Sequence, residues 1–236
     1  MPARVTSVRQ QLWLLAHDEN YEMRPRIDTR ALDIGLAAAV LVDLMLSDRI
    51  RVDGGLIFWN RENRDAVGDP IAANVARAIA VGPAPRLAEV LREARVELLG
   101  GEHSPFQGLY AHTRAVLIAD GYLIEQRRRL FGSRYSLTEQ HKSVTFSLLG
   151  KISHRLARYP AVDDDLAFDC LLALVWALEL HSKLPMVYST SEAEPVLSHM
   201  TEQIPWRAGE GSPLTVVPHL AKLVRHAVGE LATAQF

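Results

Sequence analysis

Two stretches of this 236-residue chain are apolar almost all the way round a helix. ALDIGLAAAVLVDLML, residues 31–46, interrupts its apolar residues only with Asp33 and Asp43. DLAFDCLLALVWALELHSKL, residues 165–184, has the same character. A helix with no polar face must be enclosed by other elements, so these two segments predict a helical core wrapped by further helices. The longest unbroken apolar run, Leu171 to Leu178, falls well short of the ~20 residues that span a bilayer. Any membrane contact is therefore expected to be peripheral.

Between these anchors the pattern alternates. Residues 5–17 place Val8, Leu12 and Leu15 at helical spacing, and DENYEMRPRID reads as a loop. RIRVDGGLIFWN alternates on both sides of Asp53-Gly54-Gly55, a hairpin signal. Helical patterns recur at 69–82, in RLAEVLREARVELLG, in LYAHTRAVLIADG, at 139–157, and around 192–202 and 216–234, with IPWRAGEGSP as a loop between the last two. GYLIEQRRRLFGSRYSLTE reads as a second hairpin. Helix followed by hairpin thus occurs at about 29–59 and again at about 108–138, a winged-helix-like echo without residue identity. Apolar residues make up 48% of the chain, enough for a sizeable core, and no linker divides it. The expected fold class is mainly α: a single-domain helical bundle over residues 5–234 with two peripheral β-hairpins.

Catalytic and metal-binding signatures are missing from the sequence. It contains no HExxH, no paired CxxC, no glycine-rich phosphate loop and no nucleophile turn. The nine histidines are read as mostly surface or capping residues, with His17 adjacent to Asp18 and His199, His219 and His226 scattered. Asp163 to Asp165 suit the positive end of a helix dipole. Cys170, the single cysteine, lies in an apolar helix as a buried thiol, and its solitude fits a reducing compartment. The chain is expected to be no enzyme, with no cofactor and no metal. The opening MPARVTSVRQQ shows no secretion signal, so a cytoplasmic protein is expected. Helix plus hairpin also suggests a nucleic-acid-binding winged helix. The helix before the first hairpin, however, is without basic residues, the one before the second offers only His112 and Arg114, and the net charge is −2. No nucleic-acid partner is expected; winged-helix binding stands as a second alternative.

One feature is left over. In EQRRRLFGSRYS, residues 125–136, Arg127, Arg128, Arg129 and Arg134 surround Leu130 and Phe131 at a turn. Arginine pairs bidentately with phosphate, and an apolar tip within a cationic collar suits an anionic lipid surface. In this reading the four arginines hold head groups while Leu130 and Phe131 insert shallowly, on the inner face of a membrane. The first alternative is a protein–protein scaffold in which the 122–137 hairpin forms a homo-oligomer contact, and a charged hairpin tip can also be merely a soluble edge.

Three segments carry a family resemblance: GLAAAVLVDLMLSDRIRVD at 35–53, the helix and GYL step at 109–123, and LLALVWALELHSKL at 171–184. In order and spacing the chain resembles the Golgi phosphoprotein 3 family, of the kind found in bacteria. The resemblance implies a mostly helical single domain and a non-catalytic peripheral adaptor that binds phosphatidylinositol 4-phosphate, with the 122–137 hairpin in membrane insertion and self-association. At the four positions that correspond to the family's head-group pocket, this chain has Asp28, Ala37, Gln107 and Tyr110. A head-group site here would instead draw on Arg24, Arg26, Arg30 and Arg114.

Overall fold

The computed structural model describes residues 7–63, 69–95, 104–128, 132–160 and 165–233. Among these the chain is mainly helical, with three two-stranded antiparallel sheets. The helices are α1 (Val8–Leu15), α2 (Thr29–Leu46), α3 (Pro70–Val81), α4 (Leu87–Ala94), α5 (Leu109–Ala119), α6 (Val144–Ala157), α7 (Leu166–Ala177), α8 (Thr190–Ala208) and α9 (Val217–Thr233). The strands are β1 (His17–Asp18), β2 (Arg24–Pro25), β3 (Ile50–Asp53), β4 (Leu56–Trp59), β5 (Leu123–Arg128) and β6 (Gly132–Leu137).

The two all-round apolar segments are the central helices α2 and α7. α2 packs against α1, α3, α4, α5, α7 and α9, and from Leu36 to Val42 every residue is fully buried. The two helices come close at Gly35, where a Cβ would sit 2.5 Å from Leu178 Cδ1 at the end of α7, so a side chain there would have to displace Leu178. α2 carries two carboxylates into this core, and each caps a neighbour. Asp43 accepts the N–H groups of Val8 (2.8 Å) and Arg9 (3.2 Å) at the start of α1. Asp33 accepts the Tyr110 N–H (2.5 Å) at the start of α5. Burial raises Asp43 to about 7 and Asp33 to about 6, with the accepted N–H bonds pulling the other way. Arg9, fully buried, donates from Nη2 to both Asp69 oxygens at 2.8 Å and from Nη1 to the Thr113 hydroxyl at 2.8 Å, which ties α1 to the start of α3 and to α5.

The helix–hairpin echo is built the same way twice. Asp48 and Gly121 both take positive φ at the helix exit. The next residues, Arg49 and Tyr122, return their N–H to Leu44 and Leu117. Their carbonyls then accept from Asn60 and Thr138, which closes each hairpin. β3 pairs with β4 from Ile50↔Trp59 to Asp53↔Leu56, and β5 with β6 from Leu123↔Leu137 to Arg128↔Gly132.

Three local readings differ from the sequence expectation. The 18–28 loop contains the short β1–β2 ladder, His17↔Pro25 and Asp18↔Arg24, which two paired residues on each side are too few to announce. The segment IPWRA is not loop: α8 runs on through Pro205 to Ala208, because Leu197, Met200 and Ile204 keep one face buried, and it stops at Gly209. Within 139–157 a 3₁₀ turn at Glu139–His141 precedes α6, so the helix proper begins at Val144.

Candidate functional site

A buried aromatic stack forms where α1, α5 and the second hairpin meet. Trp13 lies in the last turn of α1, and His17 opens β1 just beyond the end of that helix. Their rings stack at 3.6 Å, and both are fully buried. The His17 ring also faces Tyr110 at 5.5 Å. His17 Nδ1 lies 2.5 Å from the Trp13 carbonyl and Nε2 lies 3.1 Å from the Tyr110 hydroxyl. A carbonyl can only accept, so Nδ1 carries the proton and Nε2 accepts from Tyr110. Burial lowers His17 to about 4. The nearby Arg114 and Arg26 guanidiniums add to the effect, and the Trp13 carbonyl opposes it. The imidazole is thus neutral, a fixed acceptor at the foot of the site.

Arg114 lies one turn beyond Tyr110 on α5. Its guanidinium lies 5.6 Å from the Tyr110 ring centroid and 4.5 Å from that of Tyr135 on β6. It has no carboxylate partner among the described residues. Two aromatic faces hold this cation, which leaves its charge available to an anion. Tyr135 is held in turn by Glu125 across the hairpin, at 3.2 Å.

The 17–27 segment folds against the same hairpin. Arg26 donates from Nε to the His17 carbonyl (3.1 Å) and pairs with Asp18 at 3.2 Å. Arg134 on β6 pairs with Glu22 at 3.3 Å. Arg24 is exposed on β2, directly opposite Asp18 in the ladder. Arg30 stands apart at the start of α2, where Asp28 caps the helix and pairs with it at 3.2 Å. The fold therefore gathers Arg24, Arg26, Arg114 and Arg134 at one end of the molecule, but Arg26 and Arg134 reach it already paired with carboxylates. Exposed apolar groups share this end: Tyr21 on the segment that bears Glu22, and Ile124 on β5, 44% exposed.

Arg127 and Arg128 pair through their backbones with Ser133 and Gly132. Arg129, Leu130 and Phe131 lie outside the described residues, as do Asp163 and Asp164. Of the four pocket-equivalent positions, Asp28 is a helix cap, Ala37 is wholly enclosed in α2, Gln107 precedes α5, and Tyr110 is the centre of the stack.

The histidine reading needs correction in part. His199, His219 and His226 are exposed as expected, but His17, His141 and His181 are buried. The His141 ring lies tilted against Tyr122, centroids 4.2 Å apart, and His181 pairs with Glu194 at 2.7 Å. Sequence reasoning passed over Trp13, His17, Tyr110 and Tyr135 as site residues. The i,i+4 spacing of Tyr110 and Arg114 on α5 was the available signal; the return of His17 onto Trp13 beyond the end of α1, and the meeting of α1 with α5, were not. The Cys170 thiol is buried and pushed up to about 12, chiefly by desolvation, so it is a packing residue. Asp165 caps α7 through the Phe168 N–H (3.0 Å).

Among the described residues no group of three or more His, Cys, Asp or Glu side chains is placed to hold a metal ion. None of the described helices is long and apolar enough to cross a membrane. Comparison with known proteins gives one family model, Golgi phosphoprotein 3 (GPP34), which matches residues 8–231, nearly the whole chain. No curated protein matches it significantly.

Proposed function

We propose, for a chain that belongs to the Golgi phosphoprotein 3 family, the role of a non-catalytic peripheral membrane protein that holds anionic phospholipid head groups at the end of the molecule shared by α5 and the second hairpin. The observation that carries this reading is Arg114, a cation held over Tyr110 and Tyr135 with no carboxylate beside it among the described residues. Arg24 and the hairpin arginines Arg127, Arg128 and Arg129 would supplement it as a collar, Arg134 would join them by exchanging its exposed Glu22 partner for phosphate, and Leu130 and Phe131 would enter the head-group layer with Tyr21 and Ile124. Near an anionic leaflet each basic residue contributes about 1 kcal/mol, so several must act together. Arg26 and Arg30, already paired, would serve the site mainly by holding its walls. A phosphoinositide, and phosphatidylinositol 4-phosphate by family likeness, is the ligand we assign; its doubly charged phosphate suits a guanidinium clamp better than a diester alone.

The test is co-sedimentation with liposomes that are neutral, or contain phosphatidylinositol, or contain phosphatidylinositol 4-phosphate at matched total charge. The reading expects binding selective for the 4-phosphate, weakened at least about fivefold by Arg114→Gln. Equal binding to all anionic liposomes, unchanged in that variant, would leave only the hairpin collar. No binding to any of them removes the lipid reading, and the exposed hairpin would then be assigned to self-association, checked by concentration-dependent mass.

A further inference from the structure

The other hairpin ends in an unfinished sheet edge. Residues 85–87 run antiparallel to β4: Ile57 donates to the Pro85 carbonyl (2.9 Å), Leu87 donates to the Gly55 carbonyl (3.0 Å), and Leu56 stands opposite Arg86. To continue this ladder, residue 85 would return an N–H to Ile57 and residue 83 would pair with Trp59. Both are prolines, Pro83 and Pro85, and neither has an N–H to give. The covering strand therefore ends, and the chain turns away through Gly82 to the end of α3.

What it leaves behind follows from strand alternation. The Ile57 N–H points away from β3, so two residues on, the Trp59 N–H and C=O point to the same outer edge. Asn60, of opposite parity, returns its N–H inward to Arg49 (2.7 Å). No described backbone group outside the β3–β4 ladder bonds Trp59. The gap beside this edge is a cleft of about 480 Å³, and among the residues lining it are Arg51, Phe58, Trp59, Arg61, Glu62 and Ala84. Arg51 stands across the ladder from Phe58, and both aromatic rings are half-buried. Arg51 and Arg61 are exposed, and neither has an ion-pair partner among the described residues. Two guanidiniums thus face the cleft against the single carboxylate of Glu62.

We propose that this cleft docks a short extended acidic segment of a partner protein, which adds its backbone to the Trp59 edge of β4 and sets a carboxylate on Arg51 and Arg61. Main-chain pairing supplies the register, the aromatic walls take the alternate side chains, and the arginines select the charge. Three extended residues span roughly 10 Å, a length suited to such a cleft. The proposal is independent of the lipid reading, which concerns the other hairpin.

The experiment is a titration of the isotope-labelled full chain, followed at the Trp59 backbone amide by NMR. The probe is an acetylated hexapeptide that alternates valine and glutamate, beside its lysine counterpart and a version N-methylated at alternate amides. The expected result is a saturating Trp59 amide shift and slowed amide exchange with the glutamate peptide only. Affinity should fall about tenfold or more in Arg51→Glu/Arg61→Glu, an exposed pair whose change leaves the core intact. Equal binding of the lysine peptide, or of the N-methylated one to the wild-type chain, overturns the proposal, as does an unmoved Trp59 amide. If inositol phosphate instead produces the same shift and the glutamate peptide does not, the cleft is a phosphate site and the peptide proposal is wrong.

Discussion

His17 shows how far one residue's chemistry depends on its neighbours. In an unfolded chain it titrates near 6.5; folded, burial holds it near 4. The folded state therefore refuses a proton that the unfolded state accepts between these values. Stability contributed by neutral His17 is complete above about pH 6.5 and drains away as pH falls toward 4, on the order of 3 kcal/mol in all. Asp33 and Asp43, raised by burial, have the opposite sign: they favour the folded state as pH falls below 6 and 7. The net pH curve mixes these, so the clean readings are individual. The His17 imidazole should titrate by NMR near pH 4. The stability advantage of wild type over His17→Asn should shrink between pH 6.5 and 4. A midpoint near 6.5 would mean that the ring is open to solvent.

At the scale of elements, the two carboxylates of α2 are the interesting exceptions in an otherwise apolar helix. Asp43 orients α1 and Asp33 orients α5, so the site's aromatic stack is aligned from the core outward. Asp43→Ala should cost about 1–2 kcal/mol in urea denaturation, the usual loss for an N-cap, and Asp43→Asn, which keeps an acceptor, clearly less. Equal losses would assign Asp43 to packing rather than capping. From the sequence, α2, α7 and both hairpins were readable, because an all-round apolar run and an alternating pattern broken at Gly54-Gly55 have few other solutions. The β1–β2 ladder and the last turn of α8 were not. Two paired residues leave no periodicity, and a proline inside a helix reads as a break unless the buried face beyond it is known.

For the whole molecule, the late helices are locked by one carboxylate. Asp169 on α7, fully buried, takes a bidentate pair from Arg155 on α6, with both contacts at 3.0 Å, and a third contact from Arg207 on α8. Removing one partner of a buried ion pair costs about 3–5 kcal/mol, whereas replacing the group with apolar residues can be neutral. Asp169→Asn should therefore lower stability by about that amount, and Asp169→Leu combined with Arg155→Met and Arg207→Met should recover most of it. Thermal denaturation of the two variants decides this. A harmless Asp169→Asn would show that the cluster contributes little to holding α6, α7 and α8 together.

Apolar periodicity and the order of segments along the chain were enough to read the fold class, the two central helices, the echoed helix–hairpin units and the family. The sequence also pointed to the arginines. Which of those arginines are spoken for came from the packing. Arg26, Arg30 and Arg134 find Asp18, Asp28 and Glu22, while Arg114 finds two tyrosines. An ion pair closes over a few ångströms, but Arg134 and Glu22, like Arg9 and Asp69, are far apart in sequence. Charge pairing at that range is a property of the packed helices, and no local pattern encodes it.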